Sequence, residues 1–168
     1  DDQIIRPCRL NLWRDKADRL LEGVLGGAGE NVLSHAALLN AIDLRLATEL
    51  LQTIHDAAGR DDVGSLVLWG GERIFAAGAD IKAMAEWGPD EVRPSVDALG
   101  AACDLLEELP TISIAAVNGF ALGGGLEVCL ACHYRVLAND PKAVVGFPEV
   151  NIGLIPGFSG TQRLPRLI

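Results

Sequence analysis

Residues 115–127 read Ala115-Ala-Val-Asn-Gly-Phe-Ala-Leu-Gly-Gly-Gly-Leu-Glu127, an apolar strand that runs through three glycines into the first turn of a helix. Glycines allow the main chain to approach a ligand without side-chain obstruction. The start of a helix also leaves backbone N–H groups unpaired and directed outward. Because a carboxylate follows at once, the segment predicts backbone amides and an acid at one place. A packing turn is the alternative that this stretch alone leaves open.

Two further segments carry the same combination of glycines and charged residues. One is Ile74-Phe-Ala-Ala-Gly-Ala-Asp-Ile-Lys82, and the other is Gly146-Phe-Pro-Glu149 followed by Gly153-Leu-Ile-Pro-Gly-Phe-Ser-Gly-Thr-Gln-Arg163. Together with residues 115–127, they resemble the crotonase (enoyl-CoA hydratase/isomerase) superfamily. The resemblance covers about residues 30–168 and is strongest from 73 to 163. Residues 156–166 and 31–34 are similar to the hydratase part of multifunctional fatty acid β-oxidation proteins.

The composition of the chain limits the classes of protein to which it can belong. The chain has 168 residues, of which 49% are hydrophobic, enough for one globular domain over residues 1–168 with its own core. The net charge of −9 argues against binding to nucleic acid or to an anionic membrane surface. The sequence contains neither an apolar run long enough for a membrane span nor the basic-then-apolar plan of a signal peptide. We therefore expect a cytoplasmic protein of bacterial type, or a mitochondrial matrix protein if the source is eukaryotic.

Hydrophobic periodicity predicts alternating helices and strands. A helix capped by Ser34 carries a stripe of Leu39, Ile42, Leu46, Leu50 and Ile54. A second helix spans 94–109, with Pro94 in its first turn and an apolar stripe of Val96, Leu99, Cys103 and Leu106, and is interpreted as structural. Strands are predicted at 65–69, 111–117 and 134–138, with a helix at 124–132. This order indicates βαβ-like units with parallel pairing. The resemblance implies a crotonase-like α/β fold, the ClpP/crotonase spiral of ββα units.

The two ends of the chain give weaker signals. Residues 8–14 and 19–25 predict a strand hairpin, and residues 26–31 a flexible loop. The chain starts without methionine and stops at Ile168, where a helix is beginning. We therefore expect it to be incomplete. By the resemblance, it lacks the C-terminal helical region that covers the active site and builds the trimer contacts.

Glu127 and Glu149 are the candidate catalytic residues, because they match the acid pair of the family. Hydration of an unsaturated thioester needs one group to deprotonate water and another to exchange a proton at the α carbon. The helix dipole favours ionised Glu127, and two carboxylates near one water push one pKa upward. We predict that Glu127 activates water and that Glu149 exchanges the α proton. A solvated surface carboxylate is the alternative for each.

By the resemblance, the backbone amides of Ala79 and Gly124 form the oxyanion hole. Residues 76–82 resemble the acyl-CoA binding loop of the family. The predicted substrate-binding residues are Ala77, Ala79, Asp80, Ile81, Lys82 and Gly124. Lys82 could meet a phosphate or remain solvated, and Asp80 is better suited to cap a helix than to catalyse.

Other site chemistries fit the sequence poorly. Cys129 and Cys132 form a Cys-x-x-Cys pair beside His133, but no second pair completes a zinc set, and small thiols on an apolar helix face are usually buried. The patterns of a Walker loop, a dinucleotide-binding loop and a Gly-x-Ser-x-Gly hydrolase are absent. We expect no metal and no cofactor beyond the coenzyme A thioester substrate.

The sequence thus predicts an enoyl-CoA hydratase of fatty acid β-oxidation, acting by reversible syn addition of water to a 2-trans-enoyl-CoA. The alternatives are a Δ3,Δ2-enoyl-CoA isomerase, which needs one acid, and a non-catalytic acyl-CoA binder or inactive fragment. The resemblance implies trimers or hexamers, or a larger multifunctional β-oxidation complex.

Overall fold

The computed structural model describes residues 40–61, 63–71 and 73–168. The helices are α1 (Leu44–Ala58), α2 (Ile81–Glu86), α3 (Pro89–Glu108), α4 (Gly124–Ala131) and α5 (Gly160–Leu167). The strands are β1 (Ser65–Trp69), β2 (Ile74–Ala76), β3 (Ile112–Val117), β4 (Phe120–Leu122), β5 (Tyr134–Leu137) and β6 (Val145–Gly146). A short 3-10 helix, Glu149–Ile152, lies between β6 and α5.

The strands form two three-stranded parallel sheets, ordered β1-β3-β5 and β2-β4-β6. Each odd-numbered strand is followed by a short even-numbered strand and then by helical residues. Over the described residues, the chain therefore repeats a ββα unit three times, and equivalent strands of successive units pair with each other. The predicted α/β fold with parallel pairing is confirmed.

The core lies where α1 and α3 pack against each other and α4 packs against β2 and β4. Along β3, alternate residues are buried, as expected for a strand with one face toward helices. On α3, Leu99, Cys103 and Leu106 are fully buried at helical spacing, which confirms the predicted apolar stripe of this helix except at half-buried Val96.

The first helix begins later than the sequence pattern predicts. Helix α1 starts at Leu44, and Asp43 caps it by accepting a hydrogen bond from the N–H of Leu46 at 2.7 Å. Asn40 has a positive φ of 51°, and Ile42 forms a parallel bridge to Ala79. Ile42 is therefore buried as part of a strand-like segment. The prediction of a helix that begins after Ser34 is wrong for residues 40–43.

The second long helix begins earlier than predicted. Helix α3 starts at Pro89, where the missing N–H of proline costs nothing because first-turn amides have no intrahelical acceptor. Pro94, predicted to lie in the first turn, is instead inside the helix. Its fixed φ is compatible with helix, and the position loses one backbone hydrogen bond.

Several predictions fall on residues outside the described ranges. These are the hairpin of 8–14 and 19–25, the loop of 26–31, and the positions of Ser34 and Leu39. Within the part of the chain that the structure describes, no helix is both long and apolar enough to cross a membrane.

Candidate active site

A cavity of about 240 Å³ is lined by most of the predicted site residues. Its walls come from the segment after β2, from α3, from the β4–α4 turn and from residues 148–158. The lining includes Ala77, Gly78, Ala79, Ile81, Met84, Trp87, Val92, Ser95, Val96, Gly123, Gly124, Glu127, Pro148, Glu149, Ile152, Leu154, Ile155 and Phe158. Two carboxylates thus stand in an otherwise mostly apolar chamber.

Glu127 lies in the first turn of α4 and is 0% exposed. Its Oε1 accepts hydrogen bonds from the N–H groups of Phe158 and Gly160, both at 2.7 Å. Its Oε2 is buried and has no hydrogen-bond partner among the described residues. A buried polar atom without a partner is costly and calls for an explanation, of which a reacting ligand is one.

Glu149 begins the 3-10 helix that follows β6. Its Oε2 is also buried without a partner in the described part of the chain. Gly123 lies against it, since a β carbon built on Gly123 would be 2.6 Å from Glu149 Oε1. Gly123 also has φ +52° and ψ −126°, a conformation that L residues avoid. Glycine at 123 therefore lets the carboxylate of Glu149 approach the start of α4.

Burial raises the pKa of Glu127 above the usual carboxyl range, and the nearby charge of Glu149 raises it further. The two backbone hydrogen bonds and the charge of Arg163 act in the opposite direction. The net shift of the pKa is upward, opposite to the direction expected from the helix dipole, because desolvation is the largest contribution.

The backbone of Ala79 is oriented by its bridge to Ile42. The N–H of Ile42 donates to Gly78 O at 2.8 Å, and the N–H of Asp80 donates to Ile42 O at 3.1 Å. Successive N–H groups of an extended strand point to opposite sides, so the N–H of Ala79 points away from Ile42. Gly78 packs against Leu122, since a β carbon on Gly78 would be 3.0 Å from Leu122 O.

The N–H of Gly124 is the first of α4 and has no acceptor within that helix. Both Gly124 and Ala79 line the cavity. The close approach of Gly78 to the β4–α4 turn therefore brings the two proposed oxyanion donors to the same chamber.

Only some residues of the predicted coenzyme A-binding loop line the cavity. Ala77, Ala79 and Ile81 line the cavity, whereas Asp80 and Lys82 are not among its lining residues. Asp80 caps α2, since its Oδ1 accepts from the N–H groups of Lys82 and Ala83 at 3.0 and 3.1 Å. The expectation of a helix cap at Asp80 is confirmed. Lys82 is exposed at the start of α2.

Comparison with known proteins identifies the family of this fold and site. The profile of the family described as "Enoyl-CoA hydratase/isomerase" matches residues 32–168. The chain belongs to this family. A protein of Bacillus subtilis named "Probable enoyl-CoA hydratase" is 41% identical over 135 residues, which cover 80% of this chain and 52% of that protein. The peroxisomal fatty acid beta-oxidation multifunctional protein MFP2 of Arabidopsis thaliana is 38% identical, over 92% of this chain and 21% of its own length.

Solved structures of family members share the fold. The crystal structure of enoyl-CoA hydratase from Bacillus anthracis superposes with a TM-score of 0.75 at 39% identity, covering 80% of this chain and 53% of that one. Enoyl-CoA hydratase from Thermoplasma volcanium gives a TM-score of 0.73 at 31% identity, covering 81% and 54%. The resemblance to the crotonase fold is confirmed. The chain spans about half the length of the B. subtilis relative.

Cys129 and Cys132 do not line the cavity. Burial raises the pKa of Cys129, and it raises the pKa of Cys132 to about 12, so both thiols stay protonated. Across residues 40–61, 63–71 and 73–168, no cluster of three or more His, Cys, Asp or Glu side chains could hold a metal ion.

Sequence reasoning missed the partners of Glu127. Phe158 and Gly160 act through backbone amides, which residue types do not reveal, and they lie more than 30 positions from Glu127. It also treated the second long helix as structural, whereas α3 supplies Val92, Ser95 and Val96 to the cavity. The Gly-Thr-Gln-Arg run at 160–163 was the one sequence feature that could have indicated a role for the segment around Gly160.

Proposed function

We propose that this protein is an enoyl-CoA hydratase that adds water reversibly, in the syn sense, to 2-trans-enoyl-CoA thioesters. The observation that carries the proposal is that Glu127 and Glu149 line one cavity together with Ala79 and Gly124. The family includes hydratases and isomerases by its description. Moving a double bond needs one acid–base group, whereas adding water needs two, so the paired glutamates favour the hydratase.

In this proposal, Glu127 is the base toward water. As the water oxygen bonds to the β carbon, Glu127 takes one proton from it, and the electron pair of the double bond shifts toward the thioester oxygen. Oε1 is occupied by two amides, which leaves Oε2 for the water. A carboxylate with a raised pKa is a stronger base than an ordinary one once it is ionised.

Glu149 supplies the second proton. In its protonated form it gives its proton to the α carbon, so the addition step leaves Glu149 ionised and Glu127 protonated. Transfer of one proton from Glu127 to Glu149 through solvent restores both groups, and the net change is addition of one water. The reaction is neither an oxidation nor a reduction.

The backbone N–H groups of Ala79 and Gly124 are the proposed donors to the thioester oxygen. Negative charge develops on this oxygen as water adds. Fixed amides in a mostly apolar chamber stabilise that charge, and loss of one such donor typically costs about 3 kcal/mol of transition-state stabilisation. The coenzyme A moiety would lie along residues 77–82, with exposed Lys82 able to meet a phosphate.

Two substrates offered separately test the proposal. A hydratase lowers the absorbance of the conjugated 2-enoyl-CoA thioester and yields a product heavier by one water. An isomerase would instead raise that absorbance from a 3-enoyl-CoA without a change in mass. Isomerisation without hydration would contradict the proposal, as would tight binding of both thioesters with no turnover. The protein should be tested at its full natural length.

A further inference from the structure

Arg163, in α5, is a buried cation that donates hydrogen bonds to three groups. It is 5% exposed, and its Nη2 donates to Asp104 Oδ1 and Glu107 Oε2, both at 2.8 Å. Its Nη1 donates to the backbone oxygen of Phe158 at 2.6 Å. The two carboxylates reach in from the more exposed side of α3. A buried charge is tolerated when it is paired and hydrogen-bonded, and these bonds hold the guanidinium in one place.

The bond to Phe158 connects Arg163 to Glu127. Phe158 accepts from Arg163 through its carbonyl and donates to Glu127 Oε1 through its N–H. Gly160 donates to the same oxygen, and a β carbon on Gly160 would be 2.8 Å from Glu127 Cγ. The segment 158–160 therefore binds one carboxylate oxygen of Glu127 through two backbone N–H groups, and Arg163 holds that segment against α3.

We propose that Arg163 is a positioning residue for the reaction, acting by locking residues 158–160 so that Glu127 presents its free Oε2 to water in the cavity. The inference rests on the proposed function. Arg163 does not line the cavity, so its action is through Phe158 and Glu127.

Arg163 also acts on Glu127 through its charge. Among the described residues, the charged and titratable groups that face Glu127 are Glu149, Arg163 and Cys103. Burial raises the pKa of Cys103 to about 12, so this thiol is neutral. The positive charge of Arg163 lowers the pKa of Glu127 and opposes both burial and Glu149. Without that charge, Glu127 would ionise at a higher pH.

Two substitutions separate position from charge. Arg163→Met removes both, so kcat for hydration should fall about 100-fold with KM nearly unchanged, as expected for displacement of a catalytic group by about 1 Å. The acid limb of the kcat/KM profile should move to higher pH. Arg163→Lys keeps the charge but lacks the planar fork that reaches both Phe158 and α3. It should keep the acid limb near its natural position and recover only part of kcat.

A third variant covers the case in which Arg163→Met does not fold. Asp104→Asn with Glu107→Gln loosens the anchor of Arg163 on α3 but keeps its charge. It should lower kcat without moving the acid limb upward. Arg166→Met, at an exposed position of the same helix, is the matched control and should leave kcat and the pH profile unchanged.

The measurement is the pH dependence of 2-enoyl-CoA hydration at full natural length, with thermal melts to confirm folding. A folded Arg163→Met with an unmoved acid limb and natural kcat would overturn this inference alone. A loss confined to KM in any of the variants would overturn it too. Natural protein without hydratase turnover would overturn the proposed function and this inference together.

Discussion

Glu127 is held through one of its two carboxylate oxygens. Oε1 takes both amide hydrogen bonds at 2.7 Å, and Oε2 has no partner among the described residues. This asymmetry fixes the orientation of the carboxylate while leaving one oxygen for chemistry. It depends on glycine at 160, where the main chain passes close to the side chain of Glu127.

Gly160→Ala should disrupt this arrangement. The added β carbon would be 2.5 Å from Phe147 Cζ and 2.9 Å from Glu127 Oε1, so both side chains must shift. We expect a loss of about 1–3 kcal/mol in the free energy of unfolding, measured by denaturant titration, and a lower kcat. Gly100→Ala in α3 is the control, since nothing lies within 4 Å of its β carbon. Equal stability of Gly160→Ala and the natural protein would contradict the close packing.

Glu127→Gln should stabilise the protein at neutral pH. Burial raises the pKa of Glu127 in the folded state, so its contribution to stability is full below the unfolded pKa and is lost as pH rises through the folded pKa. A glutamine cannot ionise and avoids that loss. The variant should unfold at a higher denaturant concentration than the natural protein at pH 7, with the difference shrinking on acidification. Glu108→Gln, at an exposed position, controls for the lost charge. A difference that grows at low pH would refute the assignment.

The sequence predicted those residues of the candidate site whose side chains have a recognisable chemical role. Glu127 and Glu149 are acids in glycine-rich and apolar surroundings, and both line the cavity as resemblance to the family implied. The amides that hold Glu127 have no side-chain signature. Arg163 stood in a quoted motif, but its role depends on two carboxylates nearly 60 positions earlier in the chain.

Among the elements, α3 is both scaffold and wall. Its Leu99, Cys103 and Leu106 build the core, while Val92, Ser95 and Val96 face the cavity. The sequence pattern predicted the core face because apolar residues recur there at helical spacing. The pattern did not reveal the face toward the cavity. Residues there have the same character as core residues, and only the open space beside them distinguishes the two faces.

Ser95→Ala should raise stability. Ser95 is 8% exposed, and its Oγ has no partner in the described ranges, so the hydroxyl is buried at a cost. Alanine also has the higher helix propensity. We expect a gain of about 1 kcal/mol or more in the free energy of unfolding. The reverse change at an exposed position of the same helix, Ala101→Ser, measures the propensity term alone. A gain no larger than the loss in that control would contradict a buried, unsatisfied hydroxyl.

Helix boundaries show where tertiary contacts override local pattern. The periodic stripe extends back through Ile42, yet α1 begins at Leu44 because Ile42 bridges to Ala79. Asn40 is fixed by side-chain hydrogen bonds to the backbone oxygens of Gly70 and Phe75. These partners lie 30 or more residues away, so the apolar stripe alone could not place the helix start, although Asp43 is itself a favoured N-cap residue type.

For the whole molecule, the cavity is assembled from all three ββα units. The segment after β2, the turn after β4 and the residues after β6 meet around it, with α3 as a further wall. This convergence follows from the parallel stacking, since equivalent ends of parallel strands lie at the same edge of a sheet. The repeated ββα architecture was implied by the family resemblance, whereas the shape of the chamber depends on side chains from distant segments.

The apolar lining predicts how affinity depends on acyl length. In a series of saturated acyl-CoA thioesters, each added methylene that enters the cavity should improve binding by about 0.8 kcal/mol, or about fourfold in Kd. The gain should end when the chain outgrows the chamber. Isothermal titration calorimetry with the protein at full natural length measures this. A Kd independent of acyl length would show that the acyl group lies elsewhere.

The proposed hydratase reaction needs both Glu127 and Glu149, which line one cavity. The hydration rate of a 2-enoyl-CoA should therefore be measured for the natural protein, Glu127→Gln and Glu149→Gln. Each glutamine variant should lose about 10²- to 10⁴-fold in kcat, the usual contribution of an acid–base group, while still binding the thioester. Full activity in either variant would contradict the two-acid account.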